Sequence, residues 1–348
     1  MRKQPSPSTP PRATTPSKVV TYRLSIEYEG TRYSGWQEQK NAPTVMGALL
    51  RAIGEAAIPV VELGGAGRTD AGVHALAQCA HLRLEQRFDP ADLCRALNKR
   101  LPRDVHVLGA VLAEPSFHAR HDAVARSYLY QISRRRTALA KPWVWWVRDA
   151  LDVDRVRAGA ALLLGRHDFR NFADVEPGGK ESTIVEVETV EVIEDGALIV
   201  VRIVASHFLW RMVRRLIGTL VQVGAGHVTV EQVAKLLEGR LLGADDPRPA
   251  ETTAPPSGLF LERVLYPGDP PLGRPTAVVR VQATPTLQAA RPDPSRGSEA
   301  PARARAPRPG PRRPGPASTP RPGPGRRPPR PGAGNRQRRS DRGRRPAR

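Results

Sequence analysis

The sequence predicts an α/β (α+β) body in two halves, with a disordered tail at each end. Strand-type and helix-type apolar spacing alternate along the body, and this alternation occurs twice. The tails are predicted by composition, because residues 1–18 and 271–348 are rich in Pro and basic residues and poor in large apolar side chains. Such segments bury too little apolar surface to become ordered. We therefore expect tails over 1–18 and 271–348 around halves over 19–125 and 126–270.

The first half begins with a predicted half-buried strand, in which apolar and polar residues alternate. Its apolar positions are Tyr22, Leu24, Ile26 and Tyr28. A helix is then predicted by the spacing of Val45, Leu49 and Ile53. Asp89 followed by Pro90 is an N-cap and first-turn pair, which predicts a second helix through Leu93 and Leu97. A strand over 105–111 completes this half.

The second half is predicted to contain a strand over 126–133, a helix over 151–164 and a hairpin. The hairpin joins two β-branched runs over 184–192 and 197–203, and Asp195-Gly196 between them is a strong turn signal. Two helices follow the hairpin. The first is predicted by the stripe Phe208, Met212, Leu216 and Leu220, and the second by a capping box of Thr229 and Gln232.

The net charge of +21 belongs to the tails. Residues 271–348 contribute +17 and residues 1–18 contribute +4, so the body carries equal numbers of basic and acidic residues. A basic surface on the body therefore requires local clustering. The candidate clusters are Arg134, Arg135 and Arg136 with Lys141, and Arg211, Arg214 and Arg215.

Composition also argues against several protein classes. Cys79 and Cys94 do not form a CxxC pair, so neither a disulfide framework nor a zinc site is expected. No apolar run reaches the length of a membrane span. The N-terminus has no apolar segment of the secretory type. We expect a cytoplasmic protein that binds no metal.

The most informative stretch is Gly-Ala-Gly-Arg-Thr-Asp-Ala-Gly-Val-His-Ala at residues 65–75. Its residues indicate an open turn that presents Arg68 and Asp70 among glycines that free the backbone. No Lys-Ser or Lys-Thr follows, so it is not a phosphate loop, and Asp70 stands where a dinucleotide fingerprint needs Gly or Ala. From these residues alone, an ordinary Gly-rich turn remains open.

The whole string resembles the signature of the TruA family of tRNA pseudouridine synthases. Five further blocks resemble that family in the family's order, and together they span residues 19–268. They are residues 28–37 (with Gly35-Trp36-Gln37), 44–47, 117–130 (with Arg126-Ser127-Tyr128-Leu129-Tyr130), 208–214 and 254–261.

The resemblance implies a fold of two ferredoxin-like halves whose sheets join around a central active-site cleft. It implies isomerisation of uridine to pseudouridine in the anticodon stem-loop of tRNA, at tRNA positions 38–40, with no cofactor. It also implies a homodimer. The reaction breaks the C1′–N1 bond, rotates the uracil and rejoins it through C5, so one carboxylate suffices where a glycosidase needs two.

The resemblance assigns the catalytic carboxylate to Asp70. It assigns to Arg214 the cation that keeps this carboxylate ionised, whereas Arg211 and Arg215 are expected to be solvated charges on the same helix. Tyr128 is expected to stack on the flipped uracil and to relay a proton. Tyr130 is expected to fill the core.

The remaining expected contacts are with substrate. The resemblance implies that Arg68 enters the gap left by the flipped nucleotide, because a planar guanidinium can stack on exposed bases. Thr69 is expected beside it at the substrate. Leu259 and Leu261 are expected to line the uracil pocket, although both also fit a plain core role.

The sequence departs from the family pattern at Glu29, Met46 and Ala173 and within 174–185, which are expected to affect contacts with the tRNA backbone. One alternative is a non-catalytic RNA-binding protein whose basic C-terminal tail supplies affinity. Another RNA-modifying enzyme, such as a methyltransferase, needs a Gly-rich cofactor loop after a strand, and the sequence offers none that is convincing.

Overall fold

The computed structural model describes residues 19–175, 182–240 and 243–283. Within these ranges, ten strands form one sheet. The strands are β1 (Val20–Tyr28), β2 (Val60–Gly65), β3 (His74–Leu84), β4 (Val105–Ala113), β5 (Ala125–Ser133), β6 (Trp145–Trp146), β7 (Gly165–Asp168), β8 (Ile184–Asp195), β9 (Leu198–Ala205) and β10 (Leu259–Leu265). The helices are α1 (Val45–Glu55), α2 (Pro90–Asn98), α3 (Val153–Ala161), α4 (Met212–Gly224) and α5 (Val230–Leu237).

The sheet runs in the order β4-β1-β3-β10-β5-β9-β8-β7, with β2 paired to β3 and β6 paired to β5. The first half contributes β1 to β4, and α1 and α2 pack on one face of these strands. Their shared core includes Tyr22, Leu24, Ile26, Leu49, Ile53, Leu93 and Leu97. The alternation predicted for the first strand is confirmed, because its apolar side chains all face this core.

The second half packs α3, α4 and α5 on β5, β8 and β9. Four helices of the body begin where a side chain accepts hydrogen bonds from the first turn, as N-caps do. The caps are Thr44 for α1, Asp89 for α2, Asp152 for α3 and Thr229 for α5, the last with a full capping box to Gln232. The predicted starts at Asp89 and Thr229 are confirmed, as is the Asp195-Gly196 hairpin between β8 and β9.

Strand β10 joins the two halves into one sheet. It pairs in parallel with β3 through Phe260 and His74, and antiparallel with β5 through Leu261 and Tyr128. Leu259 and Leu261 point to the same side of β10, one into the core of the second half and the other into the core of the first. The predicted fold, two α/β halves with joined sheets, is confirmed.

Residues 271–283, which were expected to belong to the C-terminal tail, pack on the body. Val281 is buried, and its carbonyl accepts a hydrogen bond of 2.8 Å from Ala197 N. Gln131 Oε1 accepts one of 2.6 Å from Val278 N. This segment covers an apolar face of the sheet that includes Leu129, Leu198, Val200 and Phe260. The rest of the predicted tail, 284–348, and the predicted tail over 1–18 lie outside the described residues.

In the described ranges, no helix is both long enough and apolar enough to cross a membrane.

Candidate active site

Asp70 lies in the loop between β2 and β3, and the connection between β1 and α1 supports this loop. Trp36 N donates to Thr69 O at 3.1 Å, and Gly72 N donates to Tyr33 O at 3.1 Å. Gly35 has a φ of +92°, and a Cβ there would lie 2.4 Å from Thr69 O. Only glycine accommodates both the backbone angle and the close approach, so the Gly-Trp-Gln turn braces the loop.

The two residues before Asp70 have opposite environments. Arg68 is exposed, whereas Thr69 is buried. Thr69 Oγ1 and Tyr28 Oη are 2.8 Å apart and share a hydrogen bond. Burial raises the pKa of Tyr28 to about 12, so its hydroxyl stays protonated at neutral pH. The structure therefore places Thr69 as an anchor of the loop in the first-half core.

Asp70 meets a cation from the second half. Arg214 Nη1 in α4 lies 3.4 Å from Asp70 Oδ2, with the two side chains 17% and 24% exposed. Arg214 Nε donates to Ala254 O at 2.8 Å, and Ala254 N donates back to Arg214 O at 3.0 Å. These bonds orient the guanidinium toward the carboxylate. Both side chains are partly exposed, so a ligand can reach them.

The expectation of a solvated charge is wrong for Arg215 but is not contradicted for Arg211, whose side chain is 44% exposed. Arg215 is buried and donates to Asp174, and Arg211 Nη1 lies 3.0 Å from the same carboxylate. Asp174 precedes Arg215 by 41 residues, so sequence spacing gives no sign of the pair. Arg211 and Arg215 share the single negative charge of Asp174, and Arg214 pairs with Asp70 instead.

Tyr128 lies between the two cores, half-buried against both. The ring of Phe208 packs edge-on against it with centroids 5.0 Å apart. Burial, followed by the nearby Tyr28 hydroxyl and the Asp70 carboxylate, raises the pKa of Tyr128 well above its usual range. Its hydroxyl therefore stays protonated at neutral pH. Tyr130 is fully buried and donates to Pro255 O at 2.7 Å, which confirms the prediction that it fills the core.

Leu259 and Leu261 are both buried on the face of β10 that carries the two cores. Leu261 stands directly opposite Tyr128 in the ladder between β10 and β5. The structure thus brings this leucine to Tyr128 and makes both leucines core residues. A role in a uracil pocket requires that their surface be reached from the Tyr128 side.

Arg126, to which sequence reasoning assigned no role, ties the Asp70 loop to the second half. Its guanidinium donates to four backbone carbonyls: Ala66 at 3.1 Å, Arg120 at 2.7 Å, Ala123 at 3.2 Å and Ser206 at 2.9 Å. Burial lowers the pKa of Arg126. The available signal was its place in the Arg-x-Tyr-x-Tyr block, two residues before Tyr128.

His74 ties the other end of the loop. Its Nδ1 accepts from Gly30 N at 3.0 Å, and its Nε2 lies 3.1 Å from Pro142 O. Since Nδ1 accepts, the proton is assigned to Nε2, which donates to Pro142. The ring also stacks on Phe260 with centroids 4.8 Å apart. His74 thus joins the first half, the second half and β10 at the loop's exit.

A second cluster consists of Glu62, His81 and His118. One potential metal-ligand atom from each residue lies within 4.8 Å of the other two. However, His81 Nδ1 accepts from Ala119 N and His118 Nδ1 accepts from Arg120 N, each at 3.2 Å. Both rings are therefore assigned their proton on Nε2, and His81 Nε2 lies 3.3 Å from Glu62 Oε1. Because each Nδ1 accepts from a backbone N–H and each Nε2 carries a proton, the two rings offer no free lone pair to a metal ion.

Comparison with known proteins identifies the family that this chain resembles. A model of the tRNA pseudouridine synthase family matches residues 24–122 and 160–267. A tRNA pseudouridine synthase A of Rhodopseudomonas palustris is 42% identical over 248 residues, covering 70% of this chain and 99% of that one. One from Agrobacterium fabrum is 40% identical over 260 residues, covering 73% and 96%. Among solved structures, a Cbf5-Nop10-Gar1 complex matches at 11% identity and a TM-score of 0.28, over 57% of this chain and 45% of that one, which is too low to carry an inference.

Proposed function

The chain belongs to the tRNA pseudouridine synthase family, and on that premise we propose that it isomerises uridine in the anticodon stem-loop of tRNA with Asp70 as the catalytic carboxylate. The observation that carries the proposal is the contact of Asp70 with Arg214 at 3.4 Å, across the two halves. The loop that holds Asp70 is braced at Thr69, Gly72 and Ala66, which fixes the carboxylate for an incoming nucleotide.

One carboxylate meets the demands of this reaction, because nothing is added from solvent. Ionised Asp70 can attack C1′ of the sugar, attack the uracil ring, or remove a sugar proton to give a glycal. In each route the C1′–N1 bond breaks, the base turns, and a C1′–C5 bond forms. The proton on C5 is then lost and N1 gains one, so the product is an isomer of the substrate.

Tyr128 is assigned the role of proton donor and wall of the base site. Its raised pKa keeps the hydroxyl protonated, and its ring lies against Phe208 at the boundary between the halves. An aromatic face stacks on an unpaired base. Leu261, its partner across the ladder, adds apolar surface behind it, and Leu259 extends that surface into the second-half core.

Arg68 is assigned to the duplex side of the site. It is exposed and stands two residues before Asp70. A base leaving the stack costs a few kcal/mol, and a guanidinium that stacks in the gap offsets part of it. Thr69, held by Tyr28, fixes the backbone between Arg68 and Asp70.

The charge pattern supports an anionic substrate. The N-terminal end of α4 carries three arginines, Arg211, Arg214 and Arg215. Its first turn lies wholly within the described residues and contains no acidic residue. The helix dipole disfavours cations at this end, so the arrangement is unfavourable for the helix alone. Asp174 and Asp70 neutralise part of the charge, and the remainder favours phosphate groups.

We extend the proposal to assembly and location. The protein acts as a cytoplasmic homodimer, because an L-shaped tRNA is long compared with one body of about 250 residues and a second subunit extends the surface that holds it. Light scattering at working concentration is expected to give the mass of a dimer. A monomer at that concentration would contradict this part of the proposal.

The central experiment measures tritium release from tRNA labelled at C5 of uridine. Wild-type protein is expected to release tritium from uridines of the anticodon arm, and Asp70→Asn is expected to release none while still binding tRNA. The amide keeps the shape of the side chain but cannot act as a nucleophile or base. Asp149→Asn, the same change at an exposed aspartate, is the control and is expected to keep full activity.

The alternative, a non-catalytic RNA-binding protein, is separated by the same experiment. That protein would bind tRNA without tritium release in the wild type. The buried brace around Asp70 favours the enzyme, because a binding module has no need to hold one carboxylate against one guanidinium.

A further inference from the structure

Trp210 is a large aromatic side chain left open to solvent beside the candidate site. Its side chain is 57% exposed, and the guanidinium carbon of Arg211 lies 4.9 Å from the centre of its ring. It falls at a position that the Phe-Leu-x-x-Met-Val-Arg pattern leaves open. Neither the fold nor the chemistry described above uses it.

The backbone around Trp210 is held in a strained conformation. Arg211 has a φ of +61°, in the left-handed region that non-glycine residues seldom adopt. Asp174 maintains it in two ways, because its N donates to Trp210 O at 3.2 Å and its carboxylate pairs with Arg211 at 3.0 Å. Strain of this kind persists where the surroundings impose it, commonly at ligand sites.

This backbone sets the directions of neighbouring side chains. Phe208 turns inward against Tyr128, whereas Trp210 turns outward. Arg214, which contacts Asp70, follows Trp210 by four residues. Consecutive Cα atoms are 3.8 Å apart, so the Cα atoms of Trp210 and Arg214 are at most about 15 Å apart, the span of about four stacked nucleotides.

We propose that Trp210, with Arg211 packed on it, is a stacking platform for an unpaired base of the tRNA that lies next to the target uridine. The inference rests on the proposed function and adds a binding contact that helps select the substrate. An exposed indole stacks on any base, and the adjoining guanidinium contributes a second planar surface and a charge for the phosphate. The arginines at this end of α4 favour RNA over an apolar protein partner.

The test compares Trp210→Ala with Trp146→Ala. Trp146 is a matched control, since it is 42% exposed and also has an arginine, Arg136, within 5.8 Å of its ring. Loss of one base–aromatic stack is expected to weaken tRNA binding and raise KM by about tenfold or more. The kcat is expected to change less than twofold, because the indole does not touch the reacting atoms. Trp146→Ala is expected to match the wild type in both.

Trp210→Phe keeps an aromatic face and is expected to recover most of the affinity. Thermal unfolding of each variant separates loss of fold from loss of binding. If the wild type releases tritium but Trp210→Ala and Trp146→Ala have equal KM values, the stacking platform is overturned and the proposed function stands. Absence of tritium release from the wild type would instead overturn the proposed function.

Discussion

Arg214 and Asp70 come from opposite halves of the sheet and meet at 3.4 Å. Asp70 belongs to the loop after β2, and Arg214 to the first turn of α4, which is anchored at Ala254. Neither half alone contains both members of the pair. Any change in how the halves sit against each other therefore changes this distance, and we expect the reaction to be sensitive to it.

Arg214→Met is expected to reduce activity by on the order of 100-fold or more, because Asp70 loses the positively charged partner that lies 3.4 Å away. Arg214→Lys is expected to recover only part of this, since lysine cannot donate to Ala254 O and face Asp70 with a second nitrogen. The measurement is single-turnover tritium release. Arg148→Met, at an exposed arginine, is the control. An Arg214→Met enzyme as active as this control would show that the pair is not used.

Arg126→Lys is expected to lower kcat by about tenfold or more while KM changes little, because a point charge cannot hold Ala66 and three other carbonyls together. Each buried carbonyl left without a donor costs about 1–3 kcal/mol, so the free energy of unfolding also falls. Steady-state kinetics and urea unfolding give the two quantities. Arg263→Lys, a half-buried arginine in β10, is the control. Unchanged kcat in Arg126→Lys would rule out its positioning role.

His74 predicts a loss of stability in mild acid. Burial lowers its pKa in the folded protein, against an opposing effect of Glu29. The unfolded imidazole therefore takes up a proton as the pH falls through about 6.5, and the folded one does so only at a lower pH. The contribution of neutral His74 to the free energy of unfolding is therefore fully present above that pH. It declines as the pH falls, by up to about 1.4 kcal/mol per pH unit for one proton.

The measurement is urea unfolding at several pH values between 7.5 and 5. His74→Gln is expected to be less stable at pH 7.5 but to show a flatter decline, because its side chain does not titrate. The same change at His227, an exposed histidine, keeps the wild-type slope. Parallel curves for His74→Gln and the wild type would contradict the assignment.

Two truncations test separately the segment 271–283, which packs on the body, and the basic residues that follow it. Removal of 284–348 is expected to leave the free energy of unfolding unchanged but to weaken tRNA binding and flatten its salt dependence, because many arginines are lost. Removal of 271–348 also uncovers the face that includes Leu198 and Phe260, and is expected to destabilise by about 2 kcal/mol or more.

Binding is measured between 50 and 200 mM salt, and the modified uridines are mapped in both truncated proteins. We expect the same uridines as in the wild type, because the body selects them. A shorter protein that modifies others would refute this division of roles. Equal stability of the two truncations would show that the packing of 271–283 contributes nothing.

Local signals in the sequence predicted several elements correctly. The N-caps Asp89 and Thr229 and the turn at Asp195-Gly196 each depend on side chains within a few residues. The contact of Arg214 with Asp70 was predicted through family motifs rather than spacing, and the structure brings these two side chains together. Phe208 was expected on the helix, but α4 starts at Met212 because Arg211 is left-handed.

Contacts between residues far apart in the chain could not be predicted from the sequence. The Asp174 contact that buries Arg215 joins residues 41 positions apart. Strand β3 was not predicted, because both of its faces are covered and its sequence shows no alternation of apolar and polar residues. Three polar residues, His74, Gln78 and His81, interrupt the apolar pattern although they are buried. The covering of Leu198 by Val281 likewise depends on the finished sheet, which composition alone cannot show.

The central place of β10 has a consequence for biosynthesis. This strand is the last of the sheet to leave the ribosome, yet it fills the slot between β3 and β5. Until it arrives, each half exposes an open strand edge, which is a template for wrong pairing. Chains emerge at about 5–20 residues per second, so the roughly 130 residues between the ends of β5 and β10 keep these edges open for about 7–26 s. The nascent chain is therefore most vulnerable to aggregation late in translation, before the sheet closes.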